Sequence, residues 1–256
     1  MLLCIDIGNT NIKLGMFDGG QMCCHWRIAT DRNRLVDEYA VLLLNLLATS
    51  GLSAKDVHGV VFSSVVPTLT PLFEELSQTY LRQPALILTE GVDVGMRINT
   101  HNPAEVGSDL IMNALAARHL YGAPVIVIGF GTATTFSAVS AEGNFEGVAI
   151  APGILTSAES LFRATATLPQ VALAHPQAAI GKNTLQSMRS GIVFGFSSLV
   201  DGLVERIRQE LGGNPKVVAT GGLAELIAPQ TRLIEAVEPN LALIGLRLLY
   251  ERNRSA

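Results

Sequence analysis

At 256 residues the chain is long enough for two domains of ordinary size or one large one, and a 48% hydrophobic content supplies ample packed core. A formal net charge of −4 and a sequence pI near 5.7 leave no basic footprint, which sets nucleic acid aside as a partner. Asp6 interrupts the first apolar run, no later stretch reaches the ~18 apolar residues of a membrane span, and Cys4, Cys23 and Cys24 lack metal-ligand spacing and an even count, so the expectation is a cytoplasmic, enzyme-like globular protein with reduced thiols and no membrane partner.

Taken in order, Leu2-Leu3-Cys4-Ile5 reads as a buried strand and Ile12 to Phe17 as the strand returning beside it, with Asp6-Ile7-Gly8-Asn9-Thr10-Asn11 turning between them. Gly8 allows φ > 0 and a close approach of backbone to ligand, Asn9 tolerates the same turn, and Thr10 and Asn11 add short donors. The stretch therefore predicts several N–H groups converging on one anion. An Asp at the base of such a phosphate-binding hairpin is repulsive unless a cation stands between, so Asp6 points to Mg²⁺, held directly or through water. Ordinary hairpin turns use the same residue types, and the motif alone leaves both readings open.

Gln21 to Ile28 follows the Asp18-Gly19-Gly20 turn as a third strand, and Asp37 to Thr49 is a helix stopped at Ser50-Gly51. Val57 to Ser64 is the next strand, Pro67 is placed at the first position of a helix running to about Leu81, and Ala85 to Leu88 is a strand. Glu90 to Glu105 is punctuated by Gly, Asn and Pro as a long loop, and its place before Gly107-Ser108-Asp109 favours function. Asp109 then opens a helix to Tyr121-Gly122, where it is either a cap and dipole partner or a general base aimed into a cleft.

The second half repeats the first. Pro124 to Ile128 is a buried strand, Gly129-Phe130-Gly131-Thr132-Ala133-Thr134 a small, hydroxylated turn, and Thr135 to Val139 the returning strand. Lys216 to Gly222 mirrors Val57 to Ser64, each a strand with small residues at the carboxyl end, where α/β sheets bind ligands. The expectation is a duplicated α/β protein with domains 1–115 and 116–256, whose Gly/Thr turns line a cleft for a nucleotide's phosphates. Neither a P-loop nor a Rossmann glycine pattern is present. Gly143 to Ala151 is a third strand, Ile154 to Arg163 a helix, and Ala164 to Gly181 an aperiodic loop expected to project toward a partner subunit. A long helix runs from Thr184 to about Leu211, and Pro239-Asn240 opens a final helix to Asn253.

Over essentially its whole length the chain resembles the type III pantothenate kinases. The resemblance rests on Asp6 to Asn11, Asn102-Pro103-x-Glu105-Val106-Gly107-x-Asp109, Phe130 to Thr135, Gly147-x-x-Ile150-x-Pro152-Gly153, Gly181-Lys182-Asn183-Thr184 and Thr220-Gly221-Gly222, in that family's order. It implies a duplicated ribonuclease H-like fold of the actin and sugar-kinase superfamily and a homodimer. It further implies ATP-dependent phosphorylation of pantothenate, the first step of coenzyme A synthesis, with Mg²⁺ and a monovalent cation, K⁺ or NH₄⁺. By position, Asp6, Ile7, Gly8, Asn9, Thr10, Asn11, Ile12, Lys13 and Thr132 would contact ATP, Asp109 would take the proton from the pantothenate hydroxyl, and Gly107, Ser108, Asp109, Leu110 and Thr184 would line the pantothenate pocket.

Three ligand-facing positions depart from that family's pattern. Gly129 stands where the family has the Asp that holds the monovalent cation, Leu110 where it has an Arg, and Thr100 where the pocket has a Tyr. Losing an Arg contact to a polar group costs ~1.5–3 kcal/mol, enough to slow a kinase without unfolding it. Beside the pantothenate kinase reading there remain a catalytically weakened or inactive paralogue with a binding or regulatory role, and a kinase for another small hydroxylated metabolite. An apolar neighbour at 110 also predicts that Asp109 is a less readily ionised base than it would be beside an Arg.

Overall fold

A computed structural model describes residues 1–89 and 92–254; Glu90 and Gly91, the start of the predicted 90–105 loop, and the last two residues lie outside the described part. In chain order the elements are β1 (Leu2–Ile7), β2 (Asn11–Asp18), β3 (Gln21–Ala29), α1 (Val36–Thr49), β4 (Gly59–Ser64), α2 (Thr70–Leu76), β5 (Ala85–Ile87) and α3 (Ser108–Tyr121). Then follow β6 (Val125–Phe130), β7 (Ala133–Val139), β8 (Phe145–Pro152), α4 (Ile154–Ala164), α5 (Thr184–Leu211), β9 (Lys216–Gly221), α6 (Ala224–Ile227), β10 (Ala236–Val237) and α7 (Leu241–Arg254).

The contacts divide the chain into two units of one plan. In the first, the sheet runs β3-β2-β1-β4-β5, with β1–β2 and β2–β3 antiparallel and β1–β4 and β4–β5 parallel. In the second it runs β8-β7-β6-β9-β10 with the same senses. Both are mixed α/β sheets, so the duplication legible in the repeated hairpins extends to strand order. The middle strands are apolar because both faces are covered. Leu3, Ile5, Leu14, Phe62 and Phe73 fill the first core, Tyr39 meeting Phe73 in a tilted ring contact with centroids 5.1 Å apart, and Ile126, Ile128, Phe136, Val193 and Val217 fill the second.

The unit boundaries differ from a simple 1–115 and 116–256 split. Helix α7 packs on β1, β2 and β4 and so belongs to the first unit, while residues 97–101 belong to the second through the Ile98–Phe145 bridge. An amphipathic helix goes to the sheet face it can cover. Gly245 lets α7 cross directly over α3, since a Cβ there would fall on the Met112 carbonyl oxygen.

Several local expectations are corrected. Pro67 lies in a turn closed by Leu69 N–H to Val66 O, at 3.0 Å, and Pro71 is the first-turn proline of α2. The helix that follows β9 is a single turn, and β10 is a two-residue strand without a sequence signal of its own. The 164–181 loop does not simply project: Arg189 Nε donates to Ala172 O at 2.8 Å and Ser190 Oγ to Ala179 O at 2.5 Å, which ties it to α5. Among the described residues no helix is long and apolar enough to cross a membrane, and all three cysteines are free.

Gly245→Ala should destabilise the protein by about 1–3 kcal/mol through this overpacking, read as a lower urea midpoint with an unchanged slope. An unaltered midpoint would show that α7 is not seated against α3.

Candidate functional site

The first unit gathers its chemistry around Asp6. Register places Lys13 opposite Asp6 on β2 and Ser63 opposite it on β4, and directly opposed residues share a sheet face. Ser63 Oγ donates to Asp6 Oδ1 at 3.2 Å, and only 8% of Asp6 is exposed. Burial pushes its carboxyl up to about 6; the Lys13 charge works against this, nearby Asp109 adds to it, and the Ser63 hydrogen bond lowers it.

Beside this row the chain turns. Gly8 N–H donates to Asn11 O at 3.1 Å, and Asn9, Thr10 and Asn11 are exposed at the tip. Gly8 does not adopt φ > 0, nor does Asn9, which corrects that expectation. Glycine is needed at position 8 for proximity instead, because a Cβ would lie 2.9 Å from Asn11 O. The Gly8 N–H is also spent inside the turn, so it is not one of the converging donors. The end of β3 braces the turn: Thr30 Oγ1 donates to Gly8 O at 2.7 Å, Thr30 N–H to Thr10 O at 3.0 Å, and Arg32 Nη2 to Asn9 Oδ1 at 3.0 Å.

Asp109 is in the first turn of α3, which is fastened to β4 by Ser108 Oγ donating to Ser64 O at 3.3 Å. The Asn102-Pro103-x-Glu105 stretch forms a short 3₁₀ turn, with Asn102 Nδ2 on Glu105 Oε1 at 2.8 Å, and delivers Gly107 under the carboxylate. A Cβ on Gly107 would stand 2.7 Å from Asp109 Oδ1. The carboxylate curls back onto the helix start and accepts from backbone N–H groups of Leu110 and of Asp109 itself, yet burial outweighs these bonds and the Lys13 charge and holds its pKa above the usual range. Leu110 is buried at 9% exposure.

In the second unit Gly129 holds the position that Asp6 holds in the first, with Thr135 and Thr220 where Lys13 and Ser63 stand. The Thr220 hydroxyl is buried without a partner, the counterpart of the hydroxyl that Ser63 gives to Asp6. A Cβ on Gly129 would lie 2.6 Å from Thr135 Oγ1. The turn at Gly131–Thr132 closes through Gly131 N–H to Ala133 O at 3.0 Å, and Thr156 Oγ1 at the start of α4 donates to Thr132 O at 3.0 Å. Thr184 is exposed at the start of α5, which is capped by Asn183 accepting from Gln186 N–H at 2.9 Å. The Thr100 hydroxyl, also in this unit, is buried without a partner. Ser63, Thr30 and Arg32 carry no motif that marks them in the sequence; each meets the turn or Asp6 across 22 or more residues.

Among the described residues no cluster of three or more His, Cys, Asp or Glu could cage a metal ion. A single buried carboxylate beside an anion-shaped turn does suit Mg²⁺, which takes one or two carboxylates and completes its shell with phosphate oxygens and water. Gly129 and two hydroxyls do not suit a monovalent cation that depends on a carboxylate at that position.

The family described as type III pantothenate kinase matches residues 2–206. A type III pantothenate kinase of Roseiflexus sp. (strain RS-1) is 52% identical over 255 residues, covering all of both chains, and that of Moorella thermoacetica is 50% identical over 99% of this chain and all of its own. Among solved structures, a Baf family protein from Campylobacter jejuni superposes with TM-score 0.63 at 16% identity over 99% of this chain and 100% of its own. The activator of 2-hydroxyisocaproyl-CoA dehydratase from Clostridium difficile, with bound ADPNP, gives 0.57 at 12% identity over 100% and 97%. These structural likenesses show the fold alone, a duplicated α/β architecture with two mixed sheets of one strand order.

The Asp6 carboxyl titrates near 3.8 when unfolded and at about 6 when folded, so the folded state holds the extra proton between these values. Its contribution to stability is present below the lower value and is lost as pH rises through the upper one. Asp6→Asn should therefore stabilise the metal-free protein at about pH 7.5 by on the order of 2–3 kcal/mol, and near pH 4 by almost nothing. Urea titrations in EDTA at both pH values check this; equal midpoint shifts at both would refute it.

Proposed function

The chain belongs to the type III pantothenate kinase family, kinases of coenzyme A synthesis, and we propose that it phosphorylates pantothenate with ATP using Asp109 as general base and the segment from Asp6 to Lys13 as the seat of the phosphates. The observation that carries this is one buried acidic group in each of two roles within the first unit. Asp6 stands at the foot of the turn, and Asp109 stands at the start of α3 with its pKa raised by burial.

The chemistry asked of the protein is modest. Phosphoryl transfer needs positioning and charge neutralisation more than covalent help. The hydroxyl of pantothenate presents its proton to Asp109, which accepts it as the oxygen attacks the terminal phosphorus and the bond from that phosphorus to the β,γ-bridging oxygen breaks, releasing ADP; a carboxyl whose pKa is raised accepts the proton more readily. The helix-start N–H groups and the Lys13 charge both favour the ionised form of the carboxylate against the larger effect of burial. Mg²⁺ held by Asp6, directly or through water, would screen the charge of the triphosphate. Thr132 is assigned to ATP, and Thr100, Gly107, Ser108, Leu110 and Thr184 to the pantothenate pocket, all by position in the family motifs. The cytoplasm is the assigned compartment, where ATP and reduced thiols coexist.

A second reading, a weakened paralogue, is favoured by the neutral row at Gly129 and the apolar Leu110. Transfer of labelled phosphate from ATP to pantothenate and to other hydroxylated metabolites separates the readings. The wild type should phosphorylate pantothenate with a rate that stays flat as K⁺ replaces Na⁺ at fixed ionic strength. Asp109→Asn should lower that rate by at least ~10²-fold while leaving ATP binding intact. ATP binding without transfer to any acceptor would establish the paralogue instead.

The homodimer contact is assigned to an exposed apolar face of the second unit. Ile150, Leu155 and Ile180 are 66%, 60% and 75% exposed, and an open groove of about 360 Å³ runs between α4 and α5 past Leu161 and Gly191. Only Ile154 of α4 is buried, so the rest of its apolar surface lacks cover within its own unit. Leu155→Glu should convert a dimer into a folded monomer in sedimentation velocity at tens of micromolar; a wild type already monomeric there defeats the assignment.

A further inference from the structure

The turn between β1 and β2 faces a charge problem that the assigned residues leave unsolved. A nucleotide seated there brings several negative charges to a place where Asp6 and Asp109 already stand, and Lys13 is divided between those two carboxylates. Leu110 adds no charge. A second cation is nevertheless present at the turn. Arg32 lies in the turn after β3, and its Nη2 donates to Asn9 Oδ1 at 3.0 Å, at the tip.

Three arginines of the unit are held by carboxylates, Arg34 by Asp31, Arg247 by Glu251 and Arg252 by Asp93, whereas among the described residues no carboxylate lies within ion-pair distance of Arg32. Among the described residues its one side-chain hydrogen bond is to a neutral amide. A guanidinium has five N–H donors in a rigid fork, so one bond to Asn9 leaves donors for phosphate oxygens.

The segment that carries it is also held in place. Thr30 is bonded to the turn through both its hydroxyl and its N–H, Asp31 N–H donates to the Tyr39 hydroxyl at 2.9 Å, and that hydroxyl donates back to Asp31 O at 2.8 Å. Asp31 Oδ1 accepts from Asn33 N–H at 3.0 Å. Tyr39 itself is in the core at 1% exposure. The backbone on either side of Arg32 is thereby anchored to the turn and to the core at once.

We propose that Arg32 is a phosphate-binding residue of the nucleotide site, a cation that contacts the triphosphate directly and is oriented toward it by Asn9. This rests on the turn being the seat of ATP. The fork meets phosphate in two parallel bonds, a geometry a lysine ammonium does not reproduce. Binding is accordingly tighter for nucleotides with a longer phosphate chain, and the contact weakens with salt as an exposed ionic contact does.

The test is calorimetric titration of MgATP into the wild type, Arg32→Gln, Arg32→Lys, Asn9→Ala and the Asn9→Ala/Arg32→Gln pair, each over a series of tetramethylammonium chloride concentrations. Arg32→Gln should weaken MgATP about tenfold or more and flatten the salt dependence, Arg32→Lys should recover part of the loss, and the double variant should bind more weakly than Asn9→Ala alone. An Arg32→Gln variant with wild-type affinity, or with wild-type salt dependence, overturns the proposal. So does a double variant equal to Asn9→Ala, because Arg32 would then act only by holding Asn9. A folded wild type that gives no heat with millimolar MgATP overturns the proposal and the ATP site together, whereas wild-type binding that survives Arg32→Gln unchanged removes this inference alone.

Discussion

A carboxylate placed in the middle of a sheet is costly to ionise unless its neighbours answer for it, and the first unit is built around such a carboxylate. Asp6 has a hydroxyl on one side from Ser63 and an ammonium on the other from Lys13, both brought by strand register. That arrangement requires β4 to lie parallel beside β1 and β2 to fold back along the opposite edge. The turn, the brace from Thr30 and the attachment of α3 through Ser108 all hang from these three strands. Even with its partners the carboxyl stays near 6, a cost characteristic of sites kept for charge chemistry.

The second unit repeats the geometry of that row without its charge. Gly129 sits between Thr135 and Thr220 at the same register as Asp6 between Lys13 and Ser63, and the Thr220 hydroxyl is left unpaired. An orphaned buried hydroxyl is an uncommon feature, and here it has an internal explanation: its counterpart in the other copy has a carboxylate to bond. The duplication is thus symmetric in backbone and asymmetric in chemistry. The first unit gathers a carboxylate and two cations about its turn, Asp6 with Lys13 opposite it on β2 and Arg32 on Asn9, the groups on which the proposed nucleotide site draws. The second supplies hydroxyls and a short turn buttressed by the start of α4.

Close backbone approach recurs wherever the two layers must meet. Gly245 lets α7 cross α3, Gly107 makes room for the Asp109 carboxylate, and Gly153 packs against the Thr132 carbonyl. The first of these contacts commits the last helix of the chain to the first unit. The carboxyl-terminal segment therefore stabilises the strands that carry Asp6, and stability and site are coupled across more than two hundred residues of sequence.

The strands of both hairpins, the long α5 and the duplication were legible in the sequence, because alternation, helical spacing and turn residues act within a few positions. The motif residues of the turns and Asp109 were legible for the same reason: each stands inside a local pattern. The conformation of Gly8, the shift of the helix-opening proline from Pro67 to Pro71, and the brevity of α6 were decided by hydrogen bonds that a pattern does not carry. Ser63 and Arg32 reach the site only through sheet pairing and a braced turn, β10 exists only because β9 offers an edge, and α7 returns to the first unit because that sheet had a face left to cover. Local propensity is written residue by residue, whereas a buried charge, an orphaned hydroxyl and a helix's choice of sheet depend on which distant residues come to lie within a few ångströms.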